Sequence, residues 1–368
     1  MKVTIRINEF KRVLAESRHL VKDKASIPFL ACVKVDVNSL NRATMTGFDM
    51  NKAIVQSFEV LDGEPGSFLL PAKETHDFLK GHVGGTATIE STLDGQHVTV
   101  KAGKFLMKAC STSVSCFPAL EAMPEVRRTI SLKFIKNVVT RVESACHKDQ
   151  NRFGPPAIRL ESDGQRLRAI GTDGYRIAIA EVLGDLGMFT VLLPKNFLPL
   201  IKRRAGTTVQ FAESETNYFY RTESVLLQCR KPTTAFPRYQ KVVDGIAFKG
   251  AIRVASADLK SAIVNVLSAD KKLWSVTFDV RGESLQVSAS GLNSAPGSLV
   301  VASEGNAETA VNLNPRHVLD FLTQAQGDIT MHFPDDARGP VKFSCGRSFE
   351  HLLMPMKPPD PEAKSSVA

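Results

Sequence analysis

The chain has 368 residues, 43% hydrophobic and 23% charged, with 47 Lys plus Arg against 38 Asp plus Glu and a formal net charge of +9. That length exceeds one ordinary core and suits two or three domains, and the composition is that of a soluble globular protein. No apolar run approaches the roughly 20 residues of a membrane span, and the surplus of positive charge is what a polyphosphate partner would select.

The N-terminal MKVTIRINEF alternates apolar and polar residues as a strand does. It lacks the apolar block of a signal peptide, so a cytoplasmic chain is expected. NEFKRVLAESRHL, from Asn8, reads as a capped amphipathic helix with Phe10, Val13 and Leu14 on its buried stripe. A strand end and turn follow in MTGFDMNKAI, then a turn in LDGEPG. LLPAKETHDFLKG, from Leu69, is a strand running into a helix. Pro71 stands at the first helical position, where its missing N–H has no intrahelical partner to lose, and Phe78 and Leu79 face inward.

After the irregular CFPALEAMPEVRR the pattern restarts. SLKFIKNVVTRVESA, capped by Ser131, carries Leu132, Ile135, Val139 and Val142; a turn in ESDGQRL and a strand end and turn in AIGTDGYRIAI follow; LLPKNFLPLIKRR repeats the proline at Pro194, with Phe197, Leu200 and Ile201. Beyond AFPRYQKVVDG comes a third round. SADLKSAIVNVLSA, capped by Ser256 or Asp258, places Leu259, Ile263, Val266 and Leu267 inward; VRGESLQV and SASGLNSAPGS supply turns; NLNPRHVLDFLTQ repeats the proline at Pro315, with Val318, Phe321 and Leu322. Three ordered copies at a spacing of about 120 residues predict an internal repeat. Each unit reads close to β-α-βββ-α-βββ: an α+β fold of three repeated domains, each with two helices packed on antiparallel sheets. The expected boundaries are 1–126, 127–249 and 250–368, with a flexible tail from about 358.

The chemistry of catalysis leaves no trace. The six cysteines form no CxxC pair and the eight histidines no HExxH, so neither a metal nor a cofactor is expected. There is no GxxxxGKS/T loop, no GxGxxG after a strand and no GxSxG elbow. Asp335 and Asp336 sit together in the turn HFPDDARGP, and Asp173 in GTDGYR is a turn residue. Basic residues, by contrast, recur on equivalent helices: Lys11, Arg12, Lys73 and Lys80; Lys133, Lys136, Lys195, Lys202 and Arg203; Lys260 and Arg316. Helices sharing one side of the sheets would line a surface that attracts phosphates without reading bases. Aromatic residues do not interleave with them, which argues against stacking on single strands.

Five segments, in order, carry a resemblance: SIPFLACVKVDV, GTDGYRIAIA, AFPRYQKVV, LNPRHVLDFL and HLLMPMK. They resemble the bacterial DNA polymerase III beta subunits, the beta sliding clamps, over residues 1 to about 357. The resemblance implies a DNA clamp fold, a head-to-tail homodimeric ring around double-stranded DNA, and no catalytic role. Implied partners are the DNA polymerase III alpha subunit, the clamp loader complex, and other polymerases and repair proteins docking through short linear peptides, with no membrane.

Carried over residue by residue, the peptide groove comprises Thr172, Gly174, Tyr175, Arg176 and Ile177, then Pro237, Lys241 and Val242, then Leu352, Met354, Pro355 and Met356, with Asn314 and His317 adjoining. Arg176 is expected to pack its stem and leave its charged head in water. Phe105, Val266 and Leu267 would meet at the dimer junction. Lys24 and Lys148 lead the expected DNA contacts, followed by Lys73, Lys195, Lys202 and Arg203. Pro155, His317 and the tail beyond Met356 depart from the family pattern. Two other readings stay open: a specialised clamp paralogue for repair or resistance, and a DNA-processing enzyme that holds substrate on the basic surface.

Overall fold

The structure is a computed structural model that describes residues 1–23, 25–126, 128–147, 154–203, 206, 208–269, 274–289, 297–336 and 338–356. They gather into two compact units, 1–132 with 200–231, and 133–199 with 232–368. The helices are α1 (Ile7–Arg18), α2 (Ala72–Lys80), α3 (Leu132–Val142), α4 (Leu198–Lys202), α5 (Tyr239–Val243), α6 (Ser256–Ala269) and α7 (Pro315–Gln324).

In the first unit, alternation sets the opening strand. Val3 and Ile5 of Lys2–Arg6 are buried while their neighbours face outward, the period-two pattern of a half-buried strand. It pairs antiparallel with Lys52–Gly63 on one side and Thr86–Ser91 on the other, within a twelve-stranded sheet. Phe10, Val13 and Leu14 of α1 are buried against this sheet with Phe58, Val60 and Leu79. Burial of one such side chain contributes about 1.5–3 kcal/mol. The polar Ser17 on the same stripe is satisfied: Gln56 donates from Nε2 to its hydroxyl at 3.0 Å and to the Val13 carbonyl at 3.0 Å.

The second unit holds a seven-stranded sheet, a four-stranded sheet and α3, α6 and α7. Its core includes Ile135, Val139 and Val142 of α3, Leu259, Ile263 and Val266 of α6, and Val318, Phe321 and Leu322 of α7. Phe321 stacks on Phe349 at 5.0 Å and meets Phe343 at 5.6 Å.

Two local devices recur at matching places in the two units. Gly47 lies against the carbonyl of Ser17 near the end of α1, and Gly171 against the carbonyl of Val142 at the end of α3. A Cβ at either glycine would strike backbone, so the helix end and the strand approach only because glycine stands there. In the turns that follow, Asp49 accepts from the N–H groups of Asn51 and Lys52, and Asp173 from those of Tyr175 and Arg176. The cation three residues on returns to its aspartate in both cases: Lys52 to Asp49 at 3.2 Å, Arg176 to Asp173 at 2.9 Å. Met50 and Gly174 hold the positive-φ position, at 77° and 83°.

Several local expectations are corrected. Pro315 is at the first turn of α7, but Pro71 and Pro194 precede their helices as the last residues of strands, serving as N-caps. Asn8 lies inside α1 behind the N-cap Arg6, and its side chain accepts from the Gly84 N–H instead. ESDGQRL is not a turn. Strands Ala157–Thr172 and Arg176–Pro194 run straight past it, with the irregularity absorbed as a bulge between Gly164 and Arg166. Between α1 and α2 there are four strands where three were expected. SASGLNSAPGS lies largely outside the described residues.

Candidate functional site

The hairpin of Ala157–Thr172 and Arg176–Pro194 ends in a tight turn at Asp173–Tyr175. Strand Phe349–Leu353 pairs antiparallel with its second arm, setting Ile177 opposite Leu352, and Met354 extends the contact by donating its N–H to the Tyr175 carbonyl at 2.9 Å. The segment Phe236–Val243, containing α5, covers the sheet here through Tyr239, which packs on Ile170 and Ile179. Turn, strand end and α5 together enclose a concave groove of about 220 Å³ with mostly apolar walls.

Nine of the fourteen expected groove residues line it: Thr172, Gly174, Tyr175, Arg176, Ile177, Pro237, Val242, Leu352 and Met354. Gly174, Tyr175, Val242 and Met354 are exposed, the rest more enclosed. Gly154, beside Pro155, packs against the Pro237 ring, so any side chain there would press on the groove wall. Lys241, Asn314, His317, Pro355 and Met356 do not line the cavity. Asn314 caps α7 by accepting from the Arg316 N–H at 3.0 Å, and the Met356 N–H is bonded to the Asn312 carbonyl at 2.8 Å. Burial, then the Arg176 charge, lowers the pKa of His317.

Sequence reasoning missed Arg238, Tyr239 and Pro340, which also line the groove. The first two lie inside the AFPRYQKVV segment and were within reach of helical periodicity; Pro340, in a turn distant in sequence, has no local signal.

Polar groups on the groove wall are largely engaged. The Thr172 hydroxyl donates to the Arg176 carbonyl at 2.7 Å. The Tyr239 hydroxyl donates to Glu161, and burial followed by that bond pushes its pKa up to about 12. Arg176 corrects the expectation that its head stays in water. Its side chain is only 7% exposed, and the guanidinium pairs with Asp173 at 2.9 Å and Asp320 at 2.7 Å while donating to the Ser144 carbonyl. Two carboxylates and a carbonyl replace the water that a buried guanidinium forfeits.

The basic candidates are mixed. Lys24 and Lys148 lie outside the described residues. Lys202 and Arg203 are exposed, and Lys73 is half-exposed with Asp23 4.0 Å from its ammonium. Lys195 instead donates from Nζ to the Cys146 carbonyl at 2.7 Å, which ties it to its own backbone. Among the described residues no cluster of three or more His, Cys, Asp or Glu is placed to hold a metal ion.

At the expected junction, Phe105 is 65% exposed on Phe105–Cys110, the outermost strand of its sheet, with Leu106 exposed beside it. On α6, Val266 is buried in its own unit and Leu267 only half-buried, while Val264 is exposed. Gly297–Ala302 is the outermost strand of the four-stranded sheet and exposes Leu299 and Val300. Among the described residues, two sheet edges with apolar side chains are unpaired.

Residues 1–121 match the family model for the DNA polymerase III beta subunit, N-terminal domain. Over nearly the whole chain the sequence is similar to the beta sliding clamp of Vibrio cholerae, 25% identical with 97% of this chain and 100% of the relative covered. The Escherichia coli K12 beta sliding clamp is 22% identical over the same shares. The fold is similar to the crystal structures of the Pseudomonas aeruginosa DNA polymerase III subunit beta, TM-score 0.88 at 19% identity, and of the Caulobacter crescentus DNA polymerase sliding clamp, 0.88 at 18%. Each covers 97% of this chain and 100% of the other.

Proposed function

We propose, from the premise that this chain belongs to the DNA polymerase III beta subunit family, that its task is to encircle duplex DNA and tether polymerases to it. It is a DNA sliding clamp, a non-catalytic processivity subunit with the DNA clamp fold. The observation that carries this is the unbroken likeness to beta sliding clamps along 97% of the chain. No helix among the described residues is long and apolar enough to cross a membrane, in keeping with work in the cytoplasm.

The division at 126 and 249 into three domains is part of this reading. The repeated glycine contacts and Asp turns at Gly47 and Gly171, and at Asp49 and Asp173, support it. The ring forms from two copies, the Phe105–Cys110 edge of one against the Gly297–Ala302 edge of the other, with α6 and Leu267 alongside. Exposed Phe105, Leu106, Leu299 and Val300 on two unpaired edges support that choice. A head-to-tail contact of this kind closes only if the rotation between copies permits it. Lys24, Lys148, Lys73, Lys202 and Arg203 hold phosphates inside the ring; their contacts are electrostatic and blind to base sequence. The groove at Ile177, Val242, Leu352 and Met354 takes the apolar end of a short peptide from the polymerase alpha subunit, the clamp loader or a repair protein. Its apolar walls and flexible methionine suit that chemistry.

The deciding experiment loads the protein onto a nicked circular plasmid with the cognate clamp loader and ATP, then gel-filters in high salt. It is expected to travel with the circle, fall off after linearisation, and lengthen the polymerase's products. Equal retention on circular and linear DNA would refute enclosure. Loading without any effect on the polymerase would move the chain to the specialised-paralogue reading.

A further inference from the structure

We propose that the groove selects peptides carrying a carboxylate close to their apolar pair, and that Arg238 is the residue that reads it. The proposal rests on the groove being the peptide site and adds what that site discriminates.

Two cationic side chains line the cavity, Arg176 and Arg238. They stand in opposite electrostatic situations. Arg176 is buried and already matched by Asp173 and Asp320, so a ligand finds no net charge there. Arg238 is exposed at the N-cap of α5 and makes no hydrogen bond or ion pair among the described residues. Lys241, one turn further along α5, is exposed and likewise unpaired among them. Asp244, at the far end of that helix, pairs with neither. The hydroxyls of Thr172 and Tyr239 are engaged by Arg176 and Glu161.

An apolar ligand therefore meets walls that grade affinity by size alone, with a guanidinium at the mouth that has nothing to hold. A guanidinium offers a planar fork that matches a carboxylate through two parallel N–H donors. Because Arg238 is open to water, the pair is screened and its effect modest, about two- to five-fold in affinity. A lysine in the same peptide position meets like charge from Arg238 and Lys241. The partner class is thus a short peptide with Asp or Glu within a few residues of two large apolar side chains.

The test uses the full chain and fluorescein-labelled synthetic peptides ending in Leu-Phe. Each of the three positions before that pair is Asp, Asn or Lys in turn, and binding is read by fluorescence anisotropy. Three proteins are compared: wild type, Arg238→Glu, and Arg347→Glu. Arg347 is exposed in the turn before Phe349–Leu353, at the opposite end of that strand from the groove, so its reversal changes net charge equally and touches nothing at the mouth. Wild type is expected to bind its best Asp peptide about two- to five-fold tighter than the Asn counterpart. Arg238→Glu should invert the order and favour Lys at the same position, while Arg347→Glu keeps the wild-type order.

Equal binding of Asp and Asn peptides by wild type overturns the proposal and leaves the groove in place. So does an Asp preference that survives Arg238→Glu, or one abolished equally by Arg347→Glu, which would assign it to overall charge. If no peptide binds wild type at any position, the groove reading fails and the selectivity proposal falls with it.

Discussion

His351 is a titratable group placed where a proton cannot follow it. It lies in strand Phe349–Leu353, fully buried, with its ring 5.2 Å from that of Phe321 and 5.1 Å from that of Phe349. Neither ring nitrogen has a hydrogen-bond partner among the described residues. Burial, then the nearby Arg176 charge, lowers its pKa from 6.5 to about 3. In the unfolded chain the same histidine takes up a proton below its ordinary pKa. Between that value and about 3 the unfolded state therefore binds one proton more than the folded state, and stability falls as pH falls through this window. Each pH unit inside it costs about 1.4 kcal/mol, so at about pH 5 the loss is about 2 kcal/mol.

Replacing His351→Phe removes the titration and leaves an aromatic ring in an aromatic cluster. Overpacking costs about 1–3 kcal/mol, but equally at every pH. Urea unfolding at about pH 7.5 and about pH 5 can be followed by the fluorescence of Trp274, the chain's single tryptophan, which belongs to the same compact unit. Wild type should lose about 2 kcal/mol more than His351→Phe between the two conditions. Equal losses in the two proteins would refute the argument, because the folded histidine would then be taking up its proton as the unfolded one does.

Three further variants bear on assembly and docking. Phe105→Asp together with Leu267→Asp should convert the proposed dimer to monomers in sedimentation at micromolar concentration, since charge would be forced into the proposed apolar edge contact; an unchanged dimer would move the interface elsewhere. Met354→Ala should weaken a polymerase-derived peptide by about 1–2 kcal/mol through lost apolar contact, whereas Met356→Ala, outside the cavity, should change it by less than about two-fold; equal effects from both would redraw the groove.

Periodic burial was the part of this molecule most legible in the sequence. The stripes of α1, α3 and α7 could be read because apolar residues at helical spacing have one way to face a sheet. The proline landmarks located α2 and α7 to within a residue, whereas α4 begins at Leu198, four residues past Pro194. Strand length was not legible. Asp-Gly in ESDGQRL is a sound turn signal, yet the pairing of Ala157–Thr172 with Arg176–Pro194 on both sides of it outweighs one local preference and turns it into a bulge. At the groove, motif likeness located the wall but not the electrostatics. That Arg176 is matched depends on Asp320, which lies 144 residues away. Val266 shows the same limit, because a helical stripe does not say whether its last positions face the chain's own core or another copy.

The pairing of Ile177 with Leu352 has a consequence for how the protein comes into being. During synthesis the second arm of the hairpin leaves the ribosome with Ile177 some 175 residues ahead of Leu352 in the strand that completes it. Nascent chains, and any product of premature termination upstream of Leu352, have no assembled groove to offer. The groove thus becomes complete only near the end of translation, and under the peptide-site proposal above, fragments released early cannot compete with finished molecules.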